Sequence, residues 1–396
     1  MASALVRLPP LPPSTEHLRR VERTWALLRP LLGLVTSHWQ ALEVRGAEHC
    51  LRSGPALLLS NHVGILDPLC LMLALGRPVQ FMAGEGLFDA PGAGRLARWS
   101  GAVPRKKMVA DLQSVRQLLA WGRVGGLIGL FPEADRTWDG QTQALVPGIG
   151  RLVRTAGLPV LVARLVGVYH QHPRWAARQR RGPVRVELDP PRSFTRQDDP
   201  EQIEASLQEA LTVDPLERPA GRLRGKELAL GLPDALFECP RCGATDRLRA
   251  KGDALSCAAC RAQWGLDLEH RLSPRGGGEA LRVPELLSSL RRRAEGRHLE
   301  AGPGEPLLRS ARARVLDISE ARARPLGEGP VELWPEGLRL PGEPLLPMAE
   351  LRTFNVYMRR RLQIRAAARS FELVLPPEES ALRWQWIGEP ARRALG

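Results

Sequence analysis

The chain has 396 residues, 43% of them apolar and 25% charged, with a formal net charge of +14. That length exceeds one ordinary core and calls for two or three domains, and the apolar fraction excludes wholesale disorder. The charge predicts attraction to something anionic (nucleic acid, an anionic lipid or a phosphorylated substrate), although lysine occurs only at Lys106, Lys107, Lys226 and Lys251 and the arginine excess also reads as a coding bias.

The N-terminus is proline-rich, with Pro9, Pro10, Pro12 and Pro13, and no uncharged apolar run of leader length follows. Arg29 and Pro30 interrupt the stretch Trp25 to Leu34, so no transmembrane helix is expected there. Residues 17 to 43 read as a helix carrying Arg19, Arg20, Arg23 and Arg29 beside Leu27, Leu28, Leu31, Leu32 and Leu34. Such a helix suits a membrane interface, and packing on the following domain explains it equally well. Residues 1–45 are assigned to this segment.

Over 46–215, short apolar runs alternate with longer mixed stretches. Ala56 to Leu59, Leu127 to Phe131 and part of Leu158 to Val168 read as strands, and Asp111 to Trp121 and Gln202 to Leu211 as helices. Val184 to Leu188, alternating with Arg185 and Glu187, reads as a half-exposed or edge strand. The fold class expected is α/β, a mixed sheet flanked by helices. A linker at 216–236 leads to a cysteine-bearing segment at 237–270. Residues 271–330 read as an Arg/Gly-rich linker with a short helix at Val283 to Leu290. Residues 331–390 read as a small mainly-β domain of pleckstrin-homology type, with Leu382 to Ile387 open as helix or strand.

His62 follows an apolar strand and sits between Asn61 and Gly64, and Asp67 lies five residues on, before Pro68. A turn between them points the carboxylate at one imidazole nitrogen and leaves the other as a general base for a hydroxyl. On spacing alone the pair also reads as a loop histidine with a capping aspartate. Arg105, Lys106 and Lys107 form a phosphate clamp or a solvated face. Phe131-Pro132-Glu133-Ala134-Asp135-Arg136 puts an acid and an arginine behind a buried strand, and Pro147, Gly148 and Gly150 precede a helix whose N–H groups favour an anion. Cys70 lies in the apolar run Leu69 to Leu75 and is assigned to core packing.

Asn61-His62 with Asp67 resembles the H-x-x-x-x-D signature of the glycerolipid acyltransferase family, which includes lysophosphatidate acyltransferases. The order of further blocks matches too: Gly-Ala-Val-Pro at 101–104, Phe-Pro-Glu at 131–133 and the strand introduced by Pro159. The resemblance covers roughly residues 30 to 215. It implies His62 as general base, Asp67 as its orienter, and Glu133 and Arg136 in the acceptor site. The arginine that ends the family's second block falls on Lys107 when placed without gaps, with Arg105 two positions earlier, so the phosphate contact is left to either. With Asn61, these are the substrate-binding candidates. The family's usual Phe-Pro-Glu-Gly-Thr-Arg is here Phe-Pro-Glu-Ala-Asp-Arg, which removes a permissive glycine and adds a negative charge where a phosphorylated acceptor approaches. The fourth block also lacks its usual second proline.

The reaction implied is direct acyl transfer. The co-substrate is acyl-CoA or acyl-carrier protein, and the acceptor a glycerolipid hydroxyl, with 1-acyl-sn-glycerol-3-phosphate the leading choice. No covalent enzyme intermediate is implied. The expected setting is the cytoplasmic face of a membrane, held peripherally on anionic lipid.

Cys239-x-x-Cys242 and Cys257-x-x-Cys260 are separated by fourteen residues, the spacing of a zinc ribbon, and four thiolates suit a closed structural zinc site. Zinc ribbons also serve nucleic-acid or protein binding. The alternative is therefore a basic nucleic-acid-binding or interaction protein with an inactive catalytic domain. Only Phe237 and Trp264 flank the cysteines as aromatics and both read as ribbon core, so nucleic acid is not the expected partner.

Overall fold

The structure, a computed structural model, describes residues 13–38, 41–88, 91–105, 112–297, 304–320, 322–357 and 359–395. The chain divides into two compact units: Met1–Arg174 with Arg180–Arg224, and Trp175–Gln179 with Gly225–Gly396.

The first unit opens with helix α1 (Thr15–Ser37), capped by the Ser14 side chain. Strand β1 (Leu42–Arg45) follows, inside the stretch assigned to the helical segment, and then β2 (Ala56–Ser60) and α2 (Asp67–Leu75). Next come β3 (Gln80–Gly84), α3 (Glu85–Phe88), α4 (Ala93–Trp99) and β4 (Val103–Arg105). After α5 (Leu112–Arg123) come β5 (Leu127–Leu130), α6 (Ile149–Ala156), β6 (Val160–Val166), α7 (Val168–Gln171), β7 (Val184–Leu188) and α8 (Pro200–Leu211). The seven strands form one mixed sheet, ordered β1-β7-β6-β2-β5-β3-β4. From β6 to β4 the neighbours are parallel, whereas β7 runs antiparallel to β6.

The parallel strands are short and apolar because both faces of the sheet are covered. In β2, Ala56 and Leu58 enter one core with Trp25, Leu71 and Met72, while Leu57 and Leu59 enter the other with Leu118, Val153 and Leu207. Truncating any of these leucines to alanine costs about 2–5 kcal/mol by cavity formation. Cys70 is 2% exposed within the first core. The strand expected to be half-exposed or at an edge, β7, instead lies inside the sheet between β1 and β6 and is mostly buried. Its alternating charge is an ion pair: buried Arg185 donates from Nε to partly exposed Glu187 at 2.6 Å, and its other arm reaches Glu217.

The second unit holds two antiparallel sheets. Strands β8 (Leu248–Lys251), β9 (Ala254–Cys257), β10 (Gln263–Leu266), β11 (Arg271–Pro274) and β12 (Leu281–Arg282) form the first. Helix α9 (Val283–Gly296) follows. The second sheet comprises β13 (Leu308–Asp317), β14 (Arg324–Trp334), β15 (Gly337–Arg339), β16 (Leu346–Pro347), β17 (Leu351–Tyr357), β18 (Arg361–Ala366) and β19 (Ser370–Val374). Helix α10 (Ala381–Leu395) ends the chain and packs on β17 and β18, so the stretch around Trp384 is helical.

The stretch 271–330 is therefore not a linker. Strands β11 and β12 extend the cysteine-bearing sheet, and β13 and β14 pair along most of their length. In β13 the exposed Arg309, Arg312 and Arg314 alternate with buried Leu308, Ser310, Ala313 and Val315 around a bulge. The inward residues include the small Ser310 and Ala313, so composition hid the strand.

Candidate active site

The C-terminal ends of β2, β5, β3, β4 and β6 share one edge of the sheet, where open α/β folds place their chemistry. His62 leaves β2 at that edge and Glu133 follows β5. The segment between His62 and α2 is a tight loop that puts Asp67 at the start of the helix.

Asp67 is fully buried, and its Oδ2 accepts from three groups: His62 Nδ1 at 2.9 Å, Val63 N at 2.7 Å and Gly64 N at 2.9 Å. With two amides already donating to that oxygen, it acts as acceptor toward the ring. Nδ1 thus carries the proton and Nε2 the lone pair. Among the described residues Nε2 has no hydrogen-bond partner. Gly64 is required by space: a Cβ there would lie 2.7 Å from Val168 Cγ1 and 3.0 Å from Asp67 Oδ1.

An aromatic stack fixes the imidazole plane. His62 stacks on Phe131 at 4.0 Å and 14°, and Phe131 on Phe81 at 5.0 Å and 9°. Gly129 leaves room for this stack, since a Cβ there would meet the Phe81 ring at 2.3 Å.

Glu133 braces two loops. One oxygen accepts the His62 backbone N–H at 2.7 Å and the other that of Gln143 at 2.6 Å. Burial pushes its carboxyl up to about 8, against the pull of those two amide bonds. Both oxygens accept backbone N–H groups, so Glu133, expected in the acceptor site, ties the His62 loop to the segment at Gln143. Asn61 is likewise spent on structure: buried, it donates to the Leu165 carbonyl at 3.1 Å and accepts the Leu165 N–H at 2.7 Å. The helix N-terminus at Gly148 and Gly150 is also internally satisfied, both amides pointing to Glu204 Oε2 at 3.2 and 3.5 Å.

Arg136 lies close enough to the pair for the Asp67 charge to act on it. Burial, and then the Arg174 charge, depresses its guanidinium, while Asp135 and Asp67 act oppositely. Among the described residues it has no ion-pair partner. Asp135, the departure that threatened an anionic ligand, pairs with Arg174 at 2.6 Å. The same arginine also donates to the Arg136 carbonyl at 2.7 Å and lies 4.4 Å over the Trp138 ring. The added negative charge is thereby offset. Ala134, in the family's glycine slot, adopts φ 64°, the left-handed conformation that glycine favours.

Arg105 ends β4 opposite Gly84. By register it stands level with Asn61, three strand spacings or about 14 Å away. Lys106 and Lys107 lie outside the described residues. Arg174 and Phe81 were not singled out from the sequence, and Gly64 was noted only as a flank of His62. Only the spent glycine of the 134 slot and the new acid at 135 hinted that something elsewhere compensates.

In the second unit the Sγ atoms of Cys239, Cys242, Cys257 and Cys260 lie within 4.8 Å of one another. Two of the separations, Cys239–Cys260 and Cys242–Cys257, are 3.7 and 3.8 Å. A tetrahedron with zinc–sulfur bonds of about 2.3 Å has edges of about 3.8 Å, so the donor set fits zinc in both chemistry and size.

Comparisons with known proteins bear on the first unit. The family model described as Acyltransferase matches residues 41–165. Over 116 residues the chain is 34% identical to an uncharacterized protein of Mycobacterium tuberculosis, covering 27% of this chain and 30% of that protein. Over 129 residues it is 27% identical to a chloroplastic 1-acyl-sn-glycerol-3-phosphate acyltransferase of Arabidopsis thaliana, covering 32% and 36%. Over 128 residues it is 23% identical to a 1-acyl-sn-glycerol-3-phosphate acyltransferase of Borreliella burgdorferi, covering 31% and 50%. The chain thus spans half or less of the length of these relatives. Among solved structures, the 1-acyl-sn-glycerophosphate acyltransferase PlsC of Thermotoga maritima aligns with a TM-score of 0.40 at 20% identity, covering 49% of this chain and 78% of that one. Residues 41–165 thus carry the match to the Acyltransferase family model, and the four ordered sequence blocks fall within them.

Proposed function

We propose that this domain moves an acyl group from a thioester, acyl-CoA or acyl-carrier protein, to the hydroxyl of a phosphate-bearing glycerolipid such as 1-acyl-sn-glycerol-3-phosphate. The observation that carries the reading is His62 held through Nδ1 by Asp67 with Nε2 unengaged, near Arg136, a desolvated cation that makes no close ion pair with a described residue. Nε2 takes the proton of the acceptor hydroxyl as its oxygen forms a bond to the thioester carbonyl carbon. The C–S bond of the tetrahedral intermediate then breaks, and the leaving thiolate recovers the proton from the imidazolium. Asp67 stabilises that imidazolium, and the Phe131 face keeps it in plane. Arg136 takes the acceptor phosphate, with Arg105 or Lys107 as a second contact, while Glu133 and Asn61 act as positioning residues.

Zinc on the four cysteines is a structural element in this reading. Attachment to the membrane runs through α1 in this reading, which exposes Leu27, Leu31, Leu34 and Val35 along one face; no described helix is long and apolar enough to cross a membrane. The test is labelled acyl-CoA offered with a panel of lysolipids and diacylglycerol, products read by mass spectrometry. Acylation of phosphate-bearing acceptors, with Arg136→Ala raising KM for them by tenfold or more, is expected. An unchanged KM for phosphate-bearing acceptors in R136A, or diacylglycerol used by wild type as readily as they are, would refute the phosphate assignment.

A further inference from the structure

A second cationic site lies away from His62. A cavity of about 770 Å³ opens between α1 and the sheet domain, walled by Trp25, Leu42, Leu73 and Pro78, a size typical of small-ligand pockets. Three arginines line it (Arg29, Arg52 and Arg77) against one acid, Glu22. None of the three forms an ion pair with a described residue. Arg77, 8% exposed, donates to the carbonyls of Leu51, Gly54 and Gly125 at 2.8, 3.0 and 3.3 Å. Carbonyls satisfy its N–H groups without neutralising its charge, and Glu22, whose charge acts on Arg77, is the one acid facing three cationic side chains, so the cavity keeps a net positive charge that favours an anion. Arg29 lies over Gly76, where a Cβ would meet its Nη1 at 3.1 Å. Gly76 and Arg77 follow the end of α2 and Asp67 begins it, so a helix of about 13 Å separates this site from the catalytic pair.

The same helix supplies the reason to assign a lipid. Leu27 and Leu34 are 81% and 71% exposed. Pro30 lines the cavity, and four residues along a helix turn by only about 40°, so Leu34 stands at the cavity's rim. We propose that this cavity binds the phosphate headgroup of an anionic membrane lipid, with the lipid's chains lying along Leu27, Leu31 and Leu34. It is a second lipid site, separate from the acceptor site. The headgroup bridges Arg29 and Arg52 above the fixed charge of Arg77.

The full chain is tested by co-sedimentation with vesicles of phosphatidylcholine containing phosphatidylglycerol, at physiological salt. Arg29→Gln with Arg52→Gln changes two exposed side chains and spares buried Arg77. The pair should weaken vesicle binding by about tenfold or more, while Arg151→Gln with Arg196→Gln, exposed arginines elsewhere on the unit, should leave it within twofold. Equal losses from both pairs would reduce the effect to general charge and overturn the site, as would no loss from R29Q/R52Q. Inorganic phosphate titrated without vesicles provides the second arm: binding as tight as to vesicles, and lost in R29Q/R52Q, would overturn the lipid assignment in favour of a soluble phosphate. Weak or undetectable phosphate binding is the expected result. Acyl transfer to a short-chain acceptor without vesicles reports on the catalytic site alone, so its failure is distinguishable from failure here.

Discussion

Replacing Asp67 by asparagine separates charge from geometry at the catalytic pair. The asparagine carbonyl can occupy the place of Oδ2 and keep all three donors, His62 Nδ1, Val63 N and Gly64 N. The tautomer is therefore preserved. Its NH₂ falls where Oδ1 stands, buried and without a partner, which costs about 1–3 kcal/mol of stability. What catalysis loses is the negative charge facing the imidazolium, worth about 4 kcal/mol for charges about 4 Å apart at an effective dielectric of about 20. That predicts a fall in kcat of about a thousandfold. The assay is single-turnover acyl transfer, with thermal melting and circular dichroism to establish that D67N is folded. Because the two residues act as one unit, His62→Ala combined with D67N should be no slower than H62A alone. A folded D67N enzyme within tenfold of wild type would refute the reasoning, since the aspartate charge would then contribute little.

Other outcomes follow from the same geometry. Ala134→Gly relieves a left-handed φ of 64° and should stabilise by about 0.5–1 kcal/mol, raising Tm by about 1–3 °C; an unchanged or lower Tm would show that the loop carries no strain. Glu133, raised from 4.5 to about 8 by burial, binds more protons folded than unfolded between those values. Its contribution to stability is therefore fully present below its unfolded pKa and lost as pH rises through about 8. Melting temperature measured from pH 5 to 9 should fall more steeply for wild type than for Glu133→Gln, and parallel curves would argue against a raised carboxyl. Chelation should remove about one equivalent of zinc and lower the melting transition of the second unit. Cys239→Ser should reproduce that change in zinc content, and zinc far below one equivalent in the untreated protein would retire the metal site.

What could be read from the sequence was mostly local. Asp67 reaches His62 across a five-residue loop, and each cysteine knuckle is a four-residue turn, so short-range spacing carries those contacts. The alternation of apolar runs also announced the sheet, because parallel strands covered on both faces have no polar side to hide. Long-range partners left no such mark. Arg174 meets Asp135 only once the chain has passed through α6, β6 and α7, so a substitution that looked hostile to an anion was compensated from a distance. Glu133 shows a different limit: its type and position fit a ligand contact, and only the two amides on its oxygens show that it faces backbone. In β7 and β13, arginine disguised buried and ladder positions as exposed ones, since an ion-paired or outward arginine reads the same in composition.

The most direct test of the account is transfer of labelled acyl from acyl-CoA to 1-acyl-sn-glycerol-3-phosphate by wild type and by His62→Ala at matched fold and concentration. His62 lends its side chain to one hydrogen bond and one ring stack, so the H62A protein should stay folded. Labelled diacyl product is expected from wild type and none above background from H62A. Equal product from both would contradict the assignment of His62 as the base.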